Sequence, residues 1–213
     1  TPVTSIKGYV QLLQDKYESA GDAFLKSALS IIHRQVDRLT LLISDLLDLS
    51  KIKSGSLSFS EQQFYINHLV EETIEQISQI YPSHKISFIK GENVPVSADR
   101  ERIEQVLVNL LTNAVKYSPG ADKIKVETVL DKGWAVVSIE DYGVGISRKN
   151  QERIFERFYR VEGKSEKTFP GIGIGLFIAS EIIRRHNGKI GVMSEPGKGS
   201  VFYFSLPVYN INI

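Results

Sequence analysis

The chain has 213 residues, 42% hydrophobic and 24% charged, with a formal net charge of +1 and no cysteine. That length allows one large domain or two modest ones, and so small a charge gives no reason to expect nucleic acid or an anionic membrane surface as partner. No apolar run approaches the ~18 residues of a membrane span, no secretory signal is visible, and disulfides and thiolate metal sites are excluded.

The first elements read as two helices. Val3, Ile6, Val10, Leu13 and Tyr17 recur in steps of three and four, and after Glu18-Ser19-Ala20-Gly21 the rhythm returns through Leu25, Leu29, Ile32, Val36, Leu39, Ile43 and Leu46. A flanking stripe of Ala28, Leu42 and Leu49 widens the apolar face beyond a two-stranded seam. A hairpin with so wide a face cannot bury it alone, so the pattern predicts a second copy and an antiparallel four-helix bundle. Asp22 is placed to cap the second helix and Gly55 to end it.

Beyond Gly55 the chain changes character. A short strand is expected at Leu57 to Phe59, and a helix from Ile66 to roughly Ile80 with Asn67 near its start. Strands follow at Ile86 to Ile89 and Val94 to Ala98, then a long helix capped by Asp99 and running to about Tyr117, stopped by Ser118-Pro119-Gly120. Ile124 to Leu130 and Trp134 to Glu140 read as a hairpin turned by Asp131-Lys132-Gly133. A glycine-rich stretch and a helix from about Ile174 to His186 precede a second hairpin, Lys189 to Ser194 and Ser200 to Leu206. Strands and helices grouped without strict alternation predict an α+β fold, a two-layer sandwich.

The long helix contains EQVLVNLLTNAVKYS. Gln105, Asn109, Asn113 and Lys116 share one face, while Val106, Leu107, Leu110, Leu111 and Ala114 take the core side. Asparagine is a mediocre helix former, so two of them one turn apart call for a reason. An amide oxygen can complete the oxygen shell of a Mg ion that also holds phosphates, with Lys116 offsetting phosphate charge; an amide-rich surface face is the bland alternative. Asp141-Tyr142-Gly143-Val144-Gly145-Ile146 follows a strand, where a carboxylate can accept from an amine such as that of adenine and the glycines let backbone pass close to a flat ring. Asp-x-Gly is equally a common turn.

Pro170-Gly171-Ile172-Gly173-Ile174-Gly175-Leu176 opens a helix, so its amides and the helix dipole face any anion there. Its spacing fits neither the dinucleotide fingerprint nor the Walker motif, and a ligand-free glycine bend is the other reading. Between these lies ERIFERFYRVEGKSEKTF, in which Phe155, Phe158 and Tyr159 alternate with Arg157 and Arg160 ahead of a charged stretch. That resembles a lid on an aromatic anchor, or else an ordinary exposed loop.

In this order the elements resemble the sensor histidine kinase family, whose catalytic domain is shared with gyrase, MutL and a heat-shock chaperone. TPVTSIKGY is similar to the second half of the phosphoacceptor box, NLLTNAVKYS to the asparagine box, DYGVGI to the first glycine box and RIFERFYR to the phenylalanine box, with GIGIGL and GKGS completing the set. The resemblance implies a dimerisation and phosphotransfer hairpin at 1–54, truncated at its start, and an ATP-binding domain of the histidine kinase/gyrase/MutL type at 55–213. It implies Asn113 as principal Mg ligand supported by Asn109, phosphate contacts from Lys116 and Arg160, and Tyr117 and Tyr159 packed near the nucleotide. Asp141 would receive the adenine amine, with Gly143, Gly145, Gly171, Gly173, Gly175 and Leu176 shaping the pocket and lid.

The acceptor histidine of the family would lie shortly before Thr1, and His33, His68, His84 and His186 read as ordinary polar or capping residues. Thr1 matches the position that orients water for phosphatase action in related members. Ile172 and Ile174 replace the usual Thr and Leu, and Tyr142 a small polar residue. The implied protein is a cytoplasmic, homodimeric ATP-dependent histidine kinase that passes phosphate to a response-regulator receiver domain, with any membrane anchor upstream. Two alternatives are a degenerate scaffold that dimerises and binds nucleotide without transfer, and a clamp-type ATPase of the same superfamily.

Overall fold

A computed structural model describes residues 2–17, 23–55, 58–161 and 172–209. Thr1, Asp22 and Gly171 lie outside the described residues. The chain divides into two compact units, Thr1–Ser56 and Leu57–Ile213.

The first unit is a helical hairpin, α1 (Pro2–Tyr17) and α2 (Ala23–Lys53). Of the expected seam, Val10, Leu29 and Val36 are buried, whereas Ile6, Leu13, Ile32, Leu39, Ile43 and Leu46 stay exposed in the single chain. Gly55 ends α2 in the left-handed region at φ 71°, its N–H donated to the Ile52 carbonyl at 3.2 Å. Much apolar surface of the hairpin is left uncovered: Tyr9, Leu12, Leu41 and Leu47 are all more than half exposed.

Asp45 sits half-buried on α2, and desolvation together with the neighbouring Asp48 pushes its pKa up to about 6. A raised carboxyl pKa favours the protonated form in the folded state. The associated stability is therefore complete below the unfolded value of 3.8 and lost as pH rises towards 6. Asp45→Asn is expected to raise the melting temperature at neutral pH and to leave it unchanged near pH 4. Calorimetric melts at the two pH values check this, and an equal effect at both would contradict it.

The second unit is a two-layer sandwich. Its strands are β1 (Glu61–Tyr65), β2 (Lys85–Ile89), β3 (Pro95–Asp99), β4 (Lys123–Asp131), β5 (Trp134–Asp141), β6 (Lys189–Glu195) and β7 (Gly199–Pro207). Among the described residues its helices are α3 (Ile66–Ile80), α4 (Arg100–Lys116), the short α5 (Arg148–Gln151) and α6 (Gly175–Arg185), with a 3-10 turn at Arg153–Phe155. The main sheet runs β2-β4-β5-β7-β6, with β2 parallel to β4 and the other pairs antiparallel. Period-2 alternation turns Val126, Val137, Ile139 and Phe204 to one face, where α3, α4 and α6 cover them.

The first strand corrects the sequence reading. Residues 58–60 are not strand, and the extended segment is Glu61–Tyr65, antiparallel to β3 with Phe64 opposite Val96. Pairing with β3, not local hydrophobicity, selects it. Asn67 lies at the start of α3, as expected, and is turned inward. Its side chain is buried, donates to the Gly91 carbonyl at 3.1 Å and accepts from the Thr128 hydroxyl at 2.8 Å, tying the helix to β4.

Candidate functional site

The site is built on α4. Asp99 caps the helix, accepting from the Arg102 N–H at 3.1 Å on one oxygen and from the Ser60 N–H at 2.8 Å on the other. The backbone N–H of Asp99 donates to Nε2 of His186 at 3.0 Å, and the other ring nitrogen meets the Ile182 carbonyl at 2.8 Å. Those partners require a neutral ring with its proton on Nδ1. His186, only 4% exposed and edge-on to Phe59 at 4.8 Å, thus locks the end of α6 to the start of α4.

Along α4 the buried side chains are Ile103, Val106, Leu107, Leu110, Leu111, Ala114 and Val115. Gln105, Asn109, Asn113 and Lys116 form the half-buried opposite side. The amide of Asn113 donates to Oδ1 of Asn109 at 3.1 Å. In that orientation Oδ1 of Asn113 has no protein hydrogen bond among the described residues, and it is the kind of neutral oxygen donor that a hydrated Mg ion accepts. Asn109 commits its own oxygen to Asn113 and so orients the Asn113 amide. These residues fit a Mg ion with one protein amide ligand and the remaining oxygens from water and phosphate.

Gly175 opens α6 directly against Asn109. A Cβ there would come within 2.1 Å of Asn109 Nδ2, so any larger residue would push the Asn109 amide aside. Gly173, at φ 75°, accepts from the Phe158 N–H at 2.9 Å, and Leu176 is half-buried in the first turn.

At the other end of α4 the Tyr117 carbonyl accepts the Val144 N–H at 3.1 Å, which stitches the helix to the loop after β5. Burial raises the Tyr117 pKa, and the Arg160 guanidinium pulls the other way, so Arg160 lies within electrostatic reach of this corner. Lys116 holds its ammonium 4.8 Å from the centre of the Tyr117 ring. Asp141, 3% exposed, accepts from the Gly143 N–H at 2.9 Å and the Ser118 hydroxyl at 3.4 Å. Burial drives its pKa up, and hydrogen bonds from Gly143, Ser118 and Ser200 oppose the rise.

The two loop glycines answer to protein contacts. A Cβ on Gly143 would fall 2.1 Å from the Tyr117 carbonyl oxygen, and one on Gly145, at φ 67°, 2.1 Å from that of Glu195. Tyr159 turns its hydroxyl onto Asn150 at 2.9 Å, and Arg153 lies over its ring at 4.2 Å. Its side chain is thus tied to α5. Ser118, Ser200 and Gln151 were not singled out from the sequence as site residues. Gln151 donates to the carbonyls of Ile146 at 3.0 Å and Ser194 at 2.7 Å, bracing the same loop against β6.

Residues 98–210 match the family of histidine kinase-, DNA gyrase B- and HSP90-like ATPases, and residues 1–55 match the His Kinase A (phospho-acceptor) domain. The chain is 32% identical over 203 residues to signal transduction histidine-protein kinase ArlS of Staphylococcus aureus, covering 95% of this chain and 45% of that protein. It spans about half the length of such curated relatives. Full-length ShkA, solved in complex with AMPPNP, matches 99% of this chain and 44% of its own at 25% identity, with a TM-score of 0.79. Histidine kinase ThkA, solved in complex with the response regulator protein TrrA, matches 98% of this chain and 58% of its own at 27% identity, with a TM-score of 0.66. Carrying phospho-acceptor helices ahead of the ATPase domain, the chain belongs to the histidine kinase-, DNA gyrase B- and HSP90-like ATPase family, among its sensor histidine kinases.

Proposed function

We propose that the chain binds Mg-ATP on α4 and, within its full-length protein, transfers the γ-phosphoryl group to a histidine on the helical bundle. The observation that carries this reading is the convergence around one helix of the Asn109–Asn113 pair, the glycine-flanked start of α6 and the buried Asp141. Asn113 would hold the metal with Asn109 orienting it, and Lys116 and Arg160 would offset phosphate charge. Asp141 would accept the adenine amine. Mg, when bound, supplies charge neutralisation at the phosphates. The chain's own contribution is positioning and fixed electrostatics. An imidazole nitrogen attacks the γ-phosphorus, an N–P bond forms, the bond to the β-γ bridging oxygen breaks, and ADP leaves.

Residues 1–54 would form the dimerisation and phosphotransfer hairpin and 55–213 the ATP-binding domain. The exposed Tyr9, Leu12, Leu41 and Leu47 support burial against a second copy. TPVTSIKGY corresponds to the latter half of an acceptor box, so the acceptor histidine would precede Thr1 and the phosphoryl group would pass onward to a response-regulator aspartate. Among the described residues no helix is long and apolar enough to cross a membrane. A cytoplasmic site of action and a phosphatase role for Thr1 remain part of this proposal.

The test is a chain extended upstream through the expected histidine and incubated with Mg and γ-labelled ATP. Base-stable, acid-labile label on the extended chain, and none on residues 1–213 alone, is the expected result. An extended chain that binds ATP yet is never labelled would favour the scaffold reading.

A further inference from the structure

Ser118 follows the last turn of α4 and is fully buried. Its hydroxyl has one hydrogen-bond partner among the described residues, Oδ1 of Asp141 at 3.4 Å. It is also wedged beneath the next loop, since a Cβ on Gly143 would lie 2.7 Å from it. The same carboxylate oxygen accepts the Gly143 N–H at 2.9 Å, so Oδ1 is engaged by two protein donors. Ser200 bonds the carboxylate from the β6–β7 hairpin, and its hydroxyl lies 3.0 Å from that of Ser194. Ser194 in turn donates to the Gly199 carbonyl at 2.7 Å and accepts from the Ile146 N–H at 2.7 Å. Asp141 is therefore gripped between a hydroxyl from the end of α4 and a hydroxyl relay from the hairpin.

We infer that Ser118 is a positioning residue for base recognition, holding the Asp141 carboxylate ionised and turned so that it selects a 6-amino purine over a 6-keto one. The inference rests on the reading of Asp141 as the adenine acceptor. Hydrogen bonds to the charged form of a buried carboxylate favour that form. Without them, the group protonates more readily and gains a donor of its own. An ionised carboxylate accepts from an amine and repels a keto oxygen, whereas a protonated one can donate to the keto oxygen. The hydroxyl contact is long, as binding-site hydrogen bonds often are before the ligand tightens them.

Arg160 acts on Tyr117, but among the described residues no cation stands beside the hydrogen bonds that act on Asp141. Lys125 on β4 pairs with Glu127 at 3.0 Å, and Lys198 in the hairpin with Glu195 at 2.9 Å. The Lys116 ammonium lies over the Tyr117 ring at 4.8 Å, and alternation along β5 turns Glu140 to the opposite face from Asp141. Hydrogen bonds from Gly143, Ser118 and Ser200 are what counter the burial of Asp141.

The experiment measures the affinity of the full chain for Mg-ATP and Mg-ITP between about pH 5 and pH 8, for the wild type, Ser118→Ala and Ser118→Cys. The cysteine variant keeps the volume with a weaker donor, so packing loss alone spares it. Expected is a wild type that prefers ATP, and variants whose preference falls by about threefold to tenfold. ATP affinity in the variants is also expected to fail on acidification at a higher pH than in the wild type. Folded variants with the wild-type preference and the wild-type acid limb would overturn the role of Ser118. A wild type with no preference for ATP over ITP would instead remove the adenine role of Asp141, and this inference with it.

Discussion

Asn113→Ala is expected to abolish Mg-dependent ATP binding by the chain while leaving its folding intact. The side chain is half-buried, and among the described residues its hydrogen bonding within the protein is limited to Asn109 at 3.1 Å. Its removal opens no core cavity, and alanine is the better helix former by up to about 0.7 kcal/mol, so the melting temperature should stay level or rise slightly. What disappears is the unpartnered amide oxygen proposed for the metal. Titration calorimetry with and without a chelator reads this directly: the wild type should lose affinity when Mg is removed, and the variant should have none left to lose. Wild-type affinity in Asn113→Ala would end the metal assignment.

Gly199→Ala is expected to be strongly destabilising. Gly199 has φ 102°, and an added Cβ would meet the Asp141 carbonyl oxygen at 2.0 Å, a backbone atom that cannot swing aside. Left-handed strain and overpacking together cost about 2–5 kcal/mol, which for a unit of this size lowers the melting temperature by roughly 5–15 °C. Gly197 in the same turn provides the control, since it has φ 80° but nothing within 4 Å of the added atom. Gly197→Ala should show the strain alone, about 1 kcal/mol. Equal melting shifts for the two variants, measured by calorimetry, would show that the contact with Asp141 carries no energy.

Much of this was legible in the sequence because it is written at helical or strand period. On α4 the separation of Asn109 and Asn113 from Leu107, Leu110 and Leu111 reads directly as one polar and one buried face. The cap at Asp99 and the turn at Lys132-Gly133, where both residues have positive φ, are local chemistry and were equally readable. The first strand was not. Glu61–Tyr65 has little hydrophobic alternation and forms through its pairing with β3, which no local pattern announces.

The surroundings of Asp141 were opaque for the same reason. Ser118 lies 23 residues away in the chain and reads only as part of a helix stop. The glycines of the loop after β5 read either as the close passage of a flat ring or as a common turn; neither reading shows that a Cβ on Gly143 or Gly145 would strike the backbone of Tyr117 or Glu195. His186 looked like a routine polar residue at a helix end. Its Nε2 reaches 87 positions back to the start of α4, and that link exists only once the sheet and helices have closed.

The most direct measurement is a crystal structure of this chain with Mg and AMPPNP. It should place the metal on the side-chain oxygen of Asn113 and the exocyclic amine of adenine on Asp141, with the glycine-flanked start of α6 beside the phosphates. A nucleotide seated away from α4, or a metal coordinated without Asn113, would contradict the account at its root.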